Sequence, residues 1–277
     1  MSRLDVNLDT TNALGNFFNV WGNLVSKYTE LQLSNPADKL LAISAVAEAM
    51  SHTLPNNHPA TSYKAGLWER EMPSNLLWSV FPGQAKPRPS YRAPTWSWAS
   101  VEGHVYFHHL PHEDELVSPR YSAKVIRCDT LLVSGSAPYG QVSGGEIRIE
   151  SLVTDIANWS ISECRVHILV PEYHIKATGD CDTIEPDMSE SCEPSSDVTV
   201  SVCWIKRLPE PAEELWARND GTAIWWESLH GLILRKRDGE ASYVRIGYLE
   251  ILIQKPLERS NYQRWQASFE RRTISIV

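Results

Sequence analysis

The hydrophobic period of this chain changes once, near residue 101, and that change constrains the fold more than any other feature of the sequence. Before it, Leu14, Phe17, Phe18, Trp21, Leu24, Val25 and Tyr28 recur at steps of three and four, which sets them on one stripe of a helix. A second helix is expected from NPADKLLAISAVAEAM. There Asn35 can cap, Pro36 suits the first turn, and Asp38 lies near the positive end of the helix dipole. Its buried face reads Leu40, Ile43, Ala47 and Met50. The stretch KAGLWEREMPSNLLWSVF predicts one or two short helices interrupted near Pro73, with Trp68, Leu76, Leu77 and Trp78 turned inward.

Past residue 101 the period becomes two. HVYFHHL, SAKVIRC, LLVSGSA, GEIRIESLV, RVHILV, VTVSVCWI, GLILRKR, YVRIGYLEILI and RTISIV read as short strands separated by turn signals, which suggests an antiparallel sandwich or barrel. Gly144-Gly145 is expected to serve a turn needing positive φ, and Arg237-Asp238-Gly239 a hairpin tip. LILRKR, with Leu232 and Leu234 against Arg235 and Arg237, reads as the solvated edge or face of a sheet. The expected fold class is therefore α+β: a helical region over residues 1–100 packed on a mainly antiparallel β-sandwich or barrel-like region over 101–277, in one continuous core. Within it, DTIEPDMSESCEPSSD (182–197) is acidic and carries two prolines, so a mobile loop is expected there.

With 277 residues and 42% hydrophobic content the chain can bury a large core. A net charge of −8 supplies no field for phosphate backbones, so no nucleic-acid partner is expected. No apolar run reaches membrane-spanning length and the first residues lack a secretory signal, so neither a membrane partner nor export is expected. The five cysteines, widely spaced and without a CxxC pair, read as reduced thiols of a cytoplasmic protein.

The densest group of rings lies in YRAPTWSWAS (91–100). Taken as extended chain, it points Trp96 and Trp98 to one side, away from Thr95, Ser97 and Ala99. Packing between helices and sheet accounts for such rings, and so does the wall of a ligand cavity.

Taken together, WGNLVSKYTELQLSNPADKLLAISAVAEAM, YKAGLWE, LLW and RPSYRAPTWSWASVEG resemble the segment that follows the HET domain in fungal heterokaryon-incompatibility (HET) proteins. GQVSGGEIRIES, HGLILRK, YVRIGYLEI and the final TISIV are similar in type and order to the tail of such proteins. The most specific part is AGLW with YRAPTWSWAS. The resemblance implies kinship of fold. Family members open with the HET domain itself, which is similar to TIR domains and carries runs like ALSYCWG and WIDALCINQ. Neither run occurs here, so NAD-cleaving or death-inducing chemistry is not carried over.

Chemistry-bearing patterns are otherwise sparse. His104, His108, His109 and His112 precede Glu113, Asp114 and Glu115, and His112-x-Asp114 has the spacing of two metal ligands, but nothing fixes a third and no metal is expected. Glu213-Glu214 reads as a solvated pair. There is no GxSxG elbow, dinucleotide fingerprint or phosphate loop, and no cofactor is expected.

Two functions follow as expectations. In the first, the chain binds an apolar metabolite and extends to a cofactor-free, pericyclase-like cyclase or isomerase of fungal secondary metabolism. Trp68, Trp78, Trp96, Trp98, Trp225 and Trp226 would then line the ligand site, with Tyr91 or Arg92 as the catalytic hydrogen-bond donor. In the second, it is a non-enzymatic module of self-recognition or regulation that meets a protein partner. A truncated product with no independent role is the third alternative. A cavity of a few hundred Å³ against Trp96 and Trp98 would favour the first, and a solid core there the second.

Overall fold

The computed structural model describes residues 3–53, 63–108, 120–184, 199–208, 227–253 and 256–277. Helix α1 (Arg3–Glu30) buries Phe17, Phe18, Trp21 and Val25 along the stripe that the spacing predicts. Asn35 accepts from the Ala37 amide to cap a single 3-10 turn, Pro36–Asp38, which leads directly into α2 (Lys39–Ser51). Helix α2 buries Leu40, Ile43 and Ala47, and also Lys39, which lies one turn before Ile43 on the same face.

Next come two short strands, β1 (Tyr63–Lys64) and β2 (Leu67–Trp68), paired as a hairpin. The helices expected around Pro73 are two 3-10 turns, Glu69–Glu71 and Ser74–Leu76, followed by β3 (Trp78–Val80). Strand β4 (Lys86–Pro87) precedes YRAPTWSWAS, and β5 (Val105–Phe107) follows it and pairs with β3. The expected extended run through Trp96 and Trp98 is instead a turn ending in a 3-10 segment, Trp98–Ser100. Ser97 accepts from the Ala99 amide, a local bond that competes with any strand ladder.

The β-rich part contains β6 (Arg120–Tyr121), β7 (Lys124–Leu132), β8 (Val142–Ile156), β9 (Asn158–Ser162), β10 (Arg165–Val170), β11 (Ile175–Cys181) and β12 (Thr183–Ile184). It continues with β13 (Val200–Leu208), β14 (Glu227–Lys236), β15 (Ser242–Ile253), helix α3 (Pro256–Gln266) and β16 (Glu270–Ile276). Strands β14, β13, β8, β16 and β15 pair in that order, and β15 pairs back to β14, which closes a five-stranded mixed barrel. Its one parallel joint, β15 to β16, follows from the crossover through α3. Strands β11, β10 and β9 extend the sheet from β15, and β7 extends it from β8.

Two hydrophobic clusters result, and neighbouring residues of one strand divide between them with the period of two. Cys203 and Ile205 join the helices and the tryptophan segment, whereas Trp204 packs on Trp265 of α3. The α+β expectation therefore holds, with helices on a mainly antiparallel barrel-like region.

Local corrections have physical causes. Gly144 and Gly145 make no turn; they lie within β8, opposite Leu131 and Thr130. A Cβ on Gly145 would sit 2.5 Å from Pro94 Cγ, so this glycine lets the tryptophan segment press onto the sheet. The LILRKR strand is not an edge: β14 lies between β13 and β15, with Leu232, Ile233 and Leu234 fully buried. Asp182, Thr183 and Ile184 are part of the body rather than of a loop, because Asp182 is buried and β12 pairs with β4. The rest of the acidic stretch, residues 185–198, lies outside the described residues. The tip at Asp238-Gly239 is a hairpin turn as expected, with Gly239 at φ +71°. No helix among the described residues is long and apolar enough to cross a membrane.

Candidate functional site

AGLW and TWSWAS, far apart in the chain, are bonded to each other. The Gly66 carbonyl accepts from two indoles, Trp98 Nε1 at 2.8 Å and Trp21 Nε1 at 3.1 Å, and Ser97 Oγ donates to the Ala65 carbonyl. Trp78 Nε1 donates to the Trp96 carbonyl at 3.1 Å. Thr95 donates to the Val277 carbonyl through both its amide and its hydroxyl. These bonds form a clasp that joins α1, the β1–β2 hairpin and the last strand.

Trp68 and Trp78, Trp96 and Trp98 are at most 2% exposed. The void beside Trp68 measures about 10 Å³, on the scale of a single water and far below any metabolite. Four of the six tryptophans expected to line a ligand site are thus packed against protein, while Trp225 and Trp226 lie outside the described residues. Gly66 takes φ +96°, and an added Cβ would lie 2.6 Å from Trp98 Nε1. Gly66→Ala is therefore expected to destabilise the fold by about 2 kcal/mol, from the left-handed backbone and the displaced indole together. Urea unfolding measures this, and an unchanged midpoint would refute the clasp.

The two residues expected to donate to a ligand separate. Tyr91 is 58% exposed. Arg92 is buried and its guanidinium is occupied by protein: Nε donates to the Ala99 carbonyl, one terminal nitrogen to the Pro36 carbonyl at 2.9 Å and to Glu102, the other to the Val101 carbonyl.

Arg92 does border a cleft. A cavity of about 720 Å³ opens between the end of α1, the start of α2 and the loops around Gln84 and Gly103, with Tyr28, Glu30, Lys39, Arg92, Glu102 and His104 in its wall. His104 Nε2 lies 2.8 Å from Ser26 Oγ and 3.4 Å from Glu30. Lys39 donates to the Val101 carbonyl at 2.7 Å, the oxygen that also accepts from Arg92. Burial, reinforced by the Arg92 charge, lowers the Lys39 amine to about 7, although Glu102 opposes the shift. Desolvation raises the Tyr28 hydroxyl.

Lys39 was missed by sequence reasoning, yet a signal exists. Residues 39, 43 and 47 recur at four-residue spacing along the buried face of α2, so the stripe includes a lysine.

A second polar group lies between β5 and β11. Ser79 Oγ is 2.8 Å from His108 Nε2 and donates to Asp180 at 3.0 Å; Tyr106 donates to the same carboxylate at 2.8 Å. His108 stacks on Tyr248 with ring centroids 3.6 Å apart, and Tyr248 OH lies 2.8 Å from His230 Nδ1. This is not a nucleophile set. A hydroxyl that gives its proton to Asp180 can only accept from His108, and Ser79 is fully buried. His104 and His108 thus have different partners, and among the described residues no group of side chains is arranged to hold a metal ion. His109, His112 and the acidic residues after them lie outside the described residues, as does Glu213-Glu214.

No family model, curated protein or solved structure matches this chain.

Proposed function

We propose that this chain is a cytoplasmic, non-enzymatic interaction module of the heterokaryon-incompatibility type, acting in self-recognition or regulation through a protein partner. One observation carries the reading: AGLW and TWSWAS, the stretches most specific to the resemblance, bind each other as a buried clasp. Their rings and polar groups hold the body together, which leaves recognition to the outer surface. The test is expression in a fungal host, with and without an intact HET protein. Alone, the chain is expected to leave growth unchanged; together, it is expected to change the loss of viability by about tenfold or more. Identical viability in both settings would remove the proposal.

The small-molecule reading has one observation in its favour, the cleft beside Arg92. It moves the ligand from the tryptophan face to a polar wall, which suits a polar compound better than a hydrocarbon awaiting cyclisation.

A further inference from the structure

Lys39 stands where burial and a neighbouring guanidinium work against its positive charge. The residue is 5% exposed, at the start of α2, where the helix dipole disfavours positive charge. Its amine shares the Val101 carbonyl with the Arg92 guanidinium; the Trp98 ring, its centroid 5.6 Å away, favours the cation, and burial together with Arg92 outweighs it. Two basic groups therefore meet at one oxygen, and the adjacent carboxylate, Glu102, is already in contact with Arg92. Removing the proton from Lys39 relieves this crowding while leaving an N–H to donate to Val101. The cleft gives such an amine room to meet a ligand, since about 720 Å³ accommodates a small metabolite.

We propose that Lys39 is a nucleophilic amine that captures a small polar aldehyde or ketone in the Tyr28–His104 cleft as a reversible imine. This goes beyond the interaction reading and does not depend on it. The neutral amine adds to the carbonyl carbon, forming the C–N bond, and a proton passes from nitrogen to oxygen to give a carbinolamine. Loss of that oxygen as water leaves the C=N bond, with no oxidant or reductant required. Glu30, Glu102, His104, Tyr28, Lys86 and Arg92 are the other ionisable groups in the cleft wall.

The test treats the intact chain with glycolaldehyde and cyanoborohydride and follows each lysine by peptide mass mapping. At pH 7 Lys39 is expected to be alkylated at least about tenfold faster than the exposed Lys124 and Lys176, because a far larger fraction of its amine is unprotonated. No protein variant is needed, so loss of folding cannot obscure the result. A Lys39 that reacts at the rate of the exposed lysines, or one that stays unmodified in the folded chain and reacts only in urea, would overturn the proposal.

Discussion

Replacing Arg245 with methionine is expected to cost about 3–5 kcal/mol of stability, the largest loss from any single change considered for this chain. Arg245 is fully buried. Its Nε donates to Asp182 at 2.8 Å, its terminal nitrogens reach the Leu76 and Trp78 carbonyls, and its guanidinium lies 3.6 Å from the centroid of the Trp78 ring. Methionine fills much of the volume but strands a fully buried Asp182, whose remaining bond is a 3.3 Å contact from the Val80 amide. The control is the double variant Arg245→Met with Asp182→Leu. It should recover a large part of the loss, because the unpaired charge is gone and what remains unsatisfied is the two carbonyls and the weakly bound Val80 amide. Urea unfolding of both variants decides the matter: a single variant within 1 kcal/mol of the parent would mean that no buried ion pair joins β15 to the segment after β11.

Arg92→Lys is expected to cost roughly 3 kcal/mol, although charge is conserved. The guanidinium satisfies three carbonyls and a carboxylate in one plane, whereas an ammonium reaches too few of them from a single point. Tyr91→Phe, at an exposed neighbour, should stay within about 0.5 kcal/mol. The contrast tests what YRAPTWSWAS is for. A structural Arg92 lowers the unfolding midpoint in proportion, while a residue whose work was on a ligand would leave that midpoint where it is.

Those two neighbours also show what a sequence can disclose. The α1 stripe was legible because Phe17, Phe18, Trp21 and Val25 state their burial through spacing alone, and β8, β10 and β14 to β16 were legible for the same reason at period two. A barrel-like region was expected, but the pairing order that closes it was not legible. Its closure depends on β8 meeting β16 and on a parallel joint after α3, pairings that no local pattern records. YRAPTWSWAS misled because its conformation is set by distant backbone acceptors, Ala65, Gly66 and Val277, and not by alternation. Gly144-Gly145 looked like a turn because glycine serves both turns and close approaches, and only the approach of Pro94 to Gly145 and of Leu131 to Gly144 separates the two. Of the candidate site, Arg92 was visible and Lys39 was not, since a lysine on an apolar stripe reads as the stripe's edge until a carbonyl is found at its tip.

Strand β16 has one more consequence. Ile147 in β8 pairs with Ile276, and Ser151 with Arg272, so a central ladder waits for residues made more than a hundred positions later. At a ribosomal pace of about 5–20 residues per second that interval lasts about 6 to 26 seconds, during which β8 offers unpaired amides and carbonyls along that edge to any nascent neighbour. Slow, long-range closure of this kind predisposes to tangling between newly made copies. A long-range ladder of this kind gives newly made copies time to pair wrongly before the barrel can close.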